Sequence, residues 1–165
     1  MKSLAVAFTG PSDSGKTTLI LKVATLLKKE HHLAIVKNDP SDKAVFDIEG
    51  KDSWKFSQTG AEVVVTSPTR TTLFSKHHKS LEEIIALLGE FDFLLVEGLK
   101  NLPLPRIAIF RNTIDESYFE CSDAIAIDES IHLLDYAIPS HIAILDLNKP
   151  EHVVAWIEKN AKKVR

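Results

Sequence analysis

"TGPSDSGKTTLI", Thr9 to Ile20, is the stretch that decides the fold. It carries the spacing G-x-x-x-x-G-K-[ST] at Gly10, Gly15, Lys16 and Thr17. Ahead of it, Ser3–Thr9 (SLAVAFT) reads as a short buried strand. Behind it, Leu19, Ile20, Val23, Leu26 and Leu27 recur on one face of a helix spanning Lys16–Lys29. A glycine turn between strand and helix lets successive backbone N–H groups converge on phosphate oxygens, because Gly10 and Gly15 tolerate conformations closed to other residues. The helix N-terminus adds partial positive charge. Lys16 reaches the outer phosphates in such a loop, and the Thr17 hydroxyl ligates magnesium.

Working outward, short apolar runs alternate with helical ones. Leu33–Lys37 (LAIVK) reads as a second strand, followed by a polar loop and a short helix around Trp54–Thr59. Glu62–Ser67 and Arg70–Lys76, split by Ser67-Pro68-Thr69, read as two strands joined by a turn. A helix over Ser80–Leu88 opens with Ser80 and Glu83, a capping box. Phe91–Gly98, PRIAIFR, DAIAID and HIAILDL read as further strands, and a last helix runs from Pro150 to Lys162-Lys163. Strand and helix in repetition predict a mostly parallel sheet flanked by helices on both faces, with an irregular or antiparallel addition. The expectation is one nucleotide-binding domain over residues 1–165.

Magnesium takes one or two carboxylates besides phosphates and water. Asp39 and Glu97 follow the apolar runs LAIVKN and FLLV, at the strand ends where open α/β sheets bind ligands. Turn formation before Pro40 is the other reading of Asp39, and pairing with a lysine such as Lys100 is the other reading of Glu97.

A net charge of −3 argues against a nucleic-acid-binding face. One cysteine, Cys121, makes no internal disulfide and fits a reducing compartment. The opening apolar run, LAVAF, is too short for a signal segment or membrane span, so a cytoplasmic location is expected. The pairs His31-His32 and His77-His78 read as surface residues, since adjacent side chains diverge on a helix or strand. Asn148-Lys149-Pro150-Glu151 loosely resembles a guanine-reading element, yet a helix beginning at Pro150 explains the same residues.

Several motifs in order resemble the MobB family of molybdopterin-guanine dinucleotide biosynthesis adaptors. These are GPSDSGKTTLI, then VKND, then FDIEGKDS (Phe46–Ser53), QTGAEVVVTSP (Gln58–Pro68) and LLVEGLK (Leu94–Lys100) leading to RIAIFR. The resemblance implies the nucleotide-binding fold of P-loop GTPases and ATPases. It implies GTP with Mg2+, hydrolysis that is slow at best, and a homodimer working beside the guanylyltransferase MobA, which joins GMP to molybdopterin. On this resemblance the phosphates are held by Gly10, Pro11, Ser12, Asp13, Ser14, Gly15, Lys16, Thr17 and Thr18. Thr17, Asp39 and Glu97 lie near magnesium, and Lys51, Asp52 and Lys100 line the same cavity; Lys16 and Asp39 are the catalytic candidates. Where family members carry a histidine cluster after the second strand, this chain has Asn38-Asp39-Pro40-Ser41-Asp42.

A small-molecule kinase or ATP-dependent ligase uses the same loop, but phosphoryl transfer needs cationic groups closed over the developing charge. Four arginines without an arginine-rich lid segment weigh against it. A metal-delivery GTPase requires soft ligands that a single cysteine does not supply.

Overall fold

The apolar run ahead of the glycine loop forms β1 (Leu4–Thr9), buried along five of its six residues, in the computed structural model, which describes residues 1–165. The glycine loop leads directly into α1 (Lys16–Leu27), whose Leu19, Ile20, Val23 and Leu27 are buried. Contacts divide the chain into a first unit, Met1–Asn38 with Glu90–Arg165, and a second, Asp39–Gly89.

In the first unit, β2 (Leu33–Lys37), β5 (Phe93–Glu97), β6 (Arg106–Phe110), β7 (Ala124–Ile127) and β8 (Ala143–Asp146) join β1 in the order β2-β5-β1-β6-β7-β8. Every neighbouring pair in that row is parallel. The central strands carry Val, Ile, Leu, Phe and Ala without polar alternation, as strands covered on both faces do. On one face Val6, Phe8, Leu95, Ile107 and Ile109 pack against α1 and against α4 (Pro150–Asn160), which contributes Val153 and Ile157. Each such fully buried side chain contributes roughly 1.5–3 kcal/mol. On the other face, Phe110, Ile125 and Ile127 pack against Ile114, Phe119, Ile131 and Ile142, which lie outside any α-helix; Phe119 sits in a 3₁₀ segment, Glu116–Cys121.

The last helix is shorter than its sequence suggests. It ends at Asn160, and Ala161 turns into extended backbone (φ −57°, ψ 139°). Lys162–Lys163 become β9, antiparallel to β1 at Leu4 and Ala5. The cause lies in the sheet: β6 pairs with β1 only from Ala7 onward, so the edge at Leu4 and Ala5 is open to another strand.

The second unit contains the expected hairpin, β3 (Val63–Thr66) antiparallel to β4 (Thr71–Phe74), with Val63 opposite Phe74 and Thr66 opposite Thr71. Its helices are α2 (Asp52–Ser57) and α3 (Leu81–Leu87). The capping box on α3 forms as the sequence implies: Ser80 Oγ accepts from the Glu83 N–H at 3.3 Å, and the Glu83 carboxylate accepts from the Ser80 N–H at 2.8 Å.

His32, His77 and His78 are exposed. His31 is not a plain surface residue. Its ring meets Phe93 edge-on at 5.0 Å, with Nδ1 3.9 Å from Asp92 and Nε2 3.8 Å from Glu158. No helix is long and apolar enough to cross a membrane.

Candidate phosphate-binding site

The loop between β1 and α1 takes its shape from two glycines and from close packing. Gly10 has φ +139°, and a Cβ there would stand 2.5 Å from the Ile109 carbonyl oxygen, so only glycine fits without moving backbone. Gly15 has φ +92° and is the N-cap of α1, where no side chain caps the helix and no acidic residue occupies the first turn. A helix start leaves four N–H groups without intrahelical partners and carries partial positive charge. At α3 the protein satisfies such groups with its own side chains; at α1 no side chain does so.

Two further observations fit a phosphate chain. Ser14 is buried and its Oγ has no hydrogen-bond partner, a deficit that a phosphate oxygen would satisfy. Lys16 folds back so that Nζ donates to the carbonyls of Gly10 at 2.9 Å and Pro11 at 2.8 Å. Burial holds the Lys16 ammonium below the usual lysine range; Glu97 and Asp13 oppose that shift, and Lys37 and Lys100 reinforce it. Thr17 and Thr18 are exposed in the first turn of α1.

Glu97 closes β5 beside this loop, in register with Phe8 of β1 on one side and Lys37 of β2 on the other. Its carboxylate, 17% exposed, pairs with Lys37 Nζ at 3.2 Å. The partner suggested by sequence proximity, Lys100, instead holds its Nζ 3.8 Å over the Tyr118 ring. Gly98 is required after Glu97: φ is +88° and a Cβ would meet that of Asn38 at 3.0 Å, while its N–H donates to Phe8 O.

Two arginines escape the sequence reading. Arg106 is 1% exposed, and its guanidinium donates to the carbonyls of Gly98 at 2.7 Å, Leu99 at 2.9 Å and Leu102 at 3.2 Å. It thereby fixes the loop that follows Glu97. Its signal was an arginine opening an otherwise apolar strand, RIAIF. Arg111 lies against Gly15 itself. Cys121 is half-buried, with Sγ bonded to Tyr118 O at 3.4 Å.

Asp39, Lys51 and Asp52 belong to the second unit. Asp39 Oδ2 accepts from the N–H groups of Lys43 at 2.8 Å and Ala44 at 2.7 Å, closing its own loop. Lys51 is the extended N-cap of α2; Asp52, in the first turn, is 87% exposed and lies 4.0 Å from Lys55 Nζ. A cavity of about 740 Å³ in this unit is lined by Asp39, Asp47, Trp54 and Phe74 among others. Asp47 Oδ1 accepts from the Ile48 N–H and the Ser53 hydroxyl, and Oδ2 is buried without a partner. No three His, Cys, Asp or Glu side chains converge as a ready-made metal site.

A parallel sheet, a glycine loop running from its central strand into a helix, and a carboxylate on the adjoining strand end define a P-loop NTPase-like α/β protein. The family model of MobB, molybdopterin guanine dinucleotide synthesis protein B, matches residues 5–128. The chain belongs to the MobB family. A Haemophilus influenzae molybdopterin-guanine dinucleotide biosynthesis adapter protein is 29% identical over 162 residues, covering 93% of this chain and 86% of the relative. A Methanocaldococcus jannaschii protein named for the same adapter role is 30% identical over 132 residues; the match covers 76% of this chain and only 55% of that relative's length. The crystal structure of Bacillus subtilis MobB superposes with a TM-score of 0.75 at 22% identity, covering 98% of this chain and 99% of that one.

Proposed function

We propose that this protein binds GTP with Mg2+ and serves as an adapter in molybdopterin-guanine dinucleotide synthesis, beside the guanylyltransferase MobA that joins GMP to molybdopterin. The nucleotide half of the reading is carried by one observation: the α1 N-terminus is uncapped, and beside it lie a buried hydroxyl without a partner and a lysine held by loop carbonyls. The adapter half rests on family membership and on the Haemophilus influenzae relative.

In this reading residues Gly10 to Thr18 wrap the phosphates, and Lys16 exchanges its loop carbonyls for phosphate oxygens. The Thr17 hydroxyl and the carboxylates of Glu97 and Asp39 would hold the magnesium ion, which would supply charge neutralisation at the outer phosphates. Lys16 and Asp39 serve whatever slow hydrolysis occurs, and Lys51, Asp52 and Lys100 complete the ligand shell. For Asp39, Lys51 and Asp52 the assignment rests on their motifs, and alanine substitution at each tests it. Residues 1–165 act as one nucleotide-binding domain, in a cytoplasmic homodimer.

The deciding experiment is calorimetry of GTP and ATP binding with and without magnesium, followed by capture of purified MobA on the immobilised protein. Magnesium-dependent preference for GTP together with MobA retention supports the reading. Preference for ATP, or no nucleotide binding, overturns it and directs attention to kinase and ligase substrates.

A further inference from the structure

β1 lies between β5 and β6, so the glycine loop has a different neighbour on each side. On the β5 side is Glu97, the carboxylate assigned to the phosphate and magnesium end. On the β6 side is Arg111, the residue immediately after Phe110, where that strand ends. A Cβ built on Gly15 would lie 3.5 Å from Arg111 Cζ, 3.5 Å from Nε and 3.8 Å from Nη1. An edge-on guanidinium would bring its nitrogens nearer than its carbon. The flat face of Arg111 therefore turns toward the space beside Gly15 that a side chain would occupy.

The same group meets a carboxylate. Arg111 Nε lies 3.1 Å from Asp128 Oδ2, on a carboxylate 12% exposed at the end of β7. Asp128 Oδ1 accepts from both the N–H and the hydroxyl of Ser130. Ser130 Oγ in turn accepts from the N–H of Asn112, a residue in left-handed backbone (φ +64°) beside Arg111. These bonds, the Ser130 hydroxyl foremost, hold the Asp128 carboxyl below the usual carboxylate range, so it remains a charged anchor. A long, freely solvated arginine gains little from one ion pair; here the carboxylate it meets is itself held in place by Ser130. Arg111 stays 43% exposed, and its terminal amino groups are not engaged within the protein. One face turns toward the glycine loop, the Asp128 carboxylate lies beside Nε, and much of the side chain remains exposed to a ligand.

We infer that Arg111 is the nucleoside platform of the site: its exposed guanidinium stacks on the purine ring of the bound nucleotide, and Asp128 positions it. This rests on the nucleotide reading above. The chemistry suits the geometry, since guanidinium is planar and weakly hydrated and stacks plane to plane on aromatic rings, where an ammonium acts only as a point charge.

The test is calorimetry of the full chain with two magnesium-loaded probes, GTP and inorganic tripolyphosphate. Arg111→Ala is expected to weaken GTP binding about tenfold, as loss of one base-stacking contact does, and to leave tripolyphosphate binding unchanged. Arg111→Lys retains charge but no plane, and is expected to remain as weak as the alanine variant with an unfolding temperature close to that of the parent. Asp128→Asn is expected to lose part of the same GTP affinity through a less ordered platform. Unchanged GTP affinity in Arg111→Ala overturns the inference. So does equal loss for both probes, which makes Arg111 a phosphate ligand, and so does full recovery in Arg111→Lys, which makes charge sufficient. An unsubstituted protein that binds tripolyphosphate but not GTP overturns the platform and leaves the loop assignment standing. One that binds neither removes the nucleotide reading itself, before any variant is made.

Discussion

Lys37 and Glu97 end two adjacent strands in direct register, with the Lys37 ammonium 3.2 Å from the Glu97 carboxylate. Lys37 is 65% exposed, so the pair contributes at most about 1 kcal/mol. Removing the competing charge with Lys37→Ala should lower the magnesium concentration at which GTP binding is half-maximal. Glu97→Gln should raise it. A magnesium titration of GTP binding checks both; if Glu97→Gln retains the parental dependence, Glu97 is a structural residue.

Substitutions at Lys16 and at Ser14 should both weaken phosphate binding. Lys16→Ala removes charge-assisted contacts of about 1.5–3 kcal/mol, so triphosphate affinity should fall roughly ten- to a hundredfold. Ser14→Ala removes a buried hydroxyl that has no partner. The free protein should then be as stable as the parent or up to about 1 kcal/mol more so, while phosphate affinity drops. Denaturant unfolding and calorimetry measure the two effects separately; a Ser14→Ala variant that is destabilised and binds normally contradicts the role given to that hydroxyl.

Gly10 and Gly60 both have positive φ, but only Gly10 is walled in by backbone. Gly60→Ala meets nothing within 4 Å and should cost about 1 kcal/mol, the left-handed penalty alone. Gly10→Ala adds a contact at 2.5 Å to Ile109 O and should cost at least about 2 kcal/mol more. Equal costs in urea unfolding would show that the Gly10 packing is not as described.

Arg106 carries three loop carbonyls on one buried guanidinium. Arg106→Met preserves the apolar stem and strands those acceptors, for an expected loss of about 3 kcal/mol or more. Arg106→Lys cannot reproduce the fork and should recover only part of it. Chemical denaturation ranks the three proteins; stability of Arg106→Met equal to that of the parent would refute the role of the fork.

Asp92 accepts from the backbone N–H of His32 at 3.0 Å and of Lys2 at 3.1 Å, and these bonds lower its pKa. A carboxyl lowered on folding contributes stability that is fully present above its unfolded value, about 4, and is lost as pH falls through the folded value. Asp92→Asn should therefore weaken the protein at neutral pH and flatten the decline of stability below about pH 4. Unfolding free energies measured across that range give the answer, and parallel curves would exclude Asp92 as a contributor.

Much of the fold was legible because its determinants are local. The run from Ser3 through Lys29 yields strand, glycine turn and helix from its own periodicity, and Ser80 with Glu83 caps α3 across three residues. Pro150 opens α4, so Asn148 to Glu151 are accounted for as a helix start, with Asn148 Nδ2 bonded to Glu129. What failed was non-local: the tail at Lys162–Lys163 leaves its helix to fill an edge of β1 that exists only because β6 starts late.

The sequence by itself determined that a glycine loop joins a buried strand to a helix, since glycine conformation and helix polarity act over a few residues. It also determined the family, through motifs spread along the chain. Only the tertiary structure decided that Glu97 meets Lys37, sixty residues away, rather than Lys100, and that Arg106 and Arg111 take the places they do. Those pairings follow from which strands lie side by side. Strand order is set by packing of the whole sheet, and no local period in the chain records it.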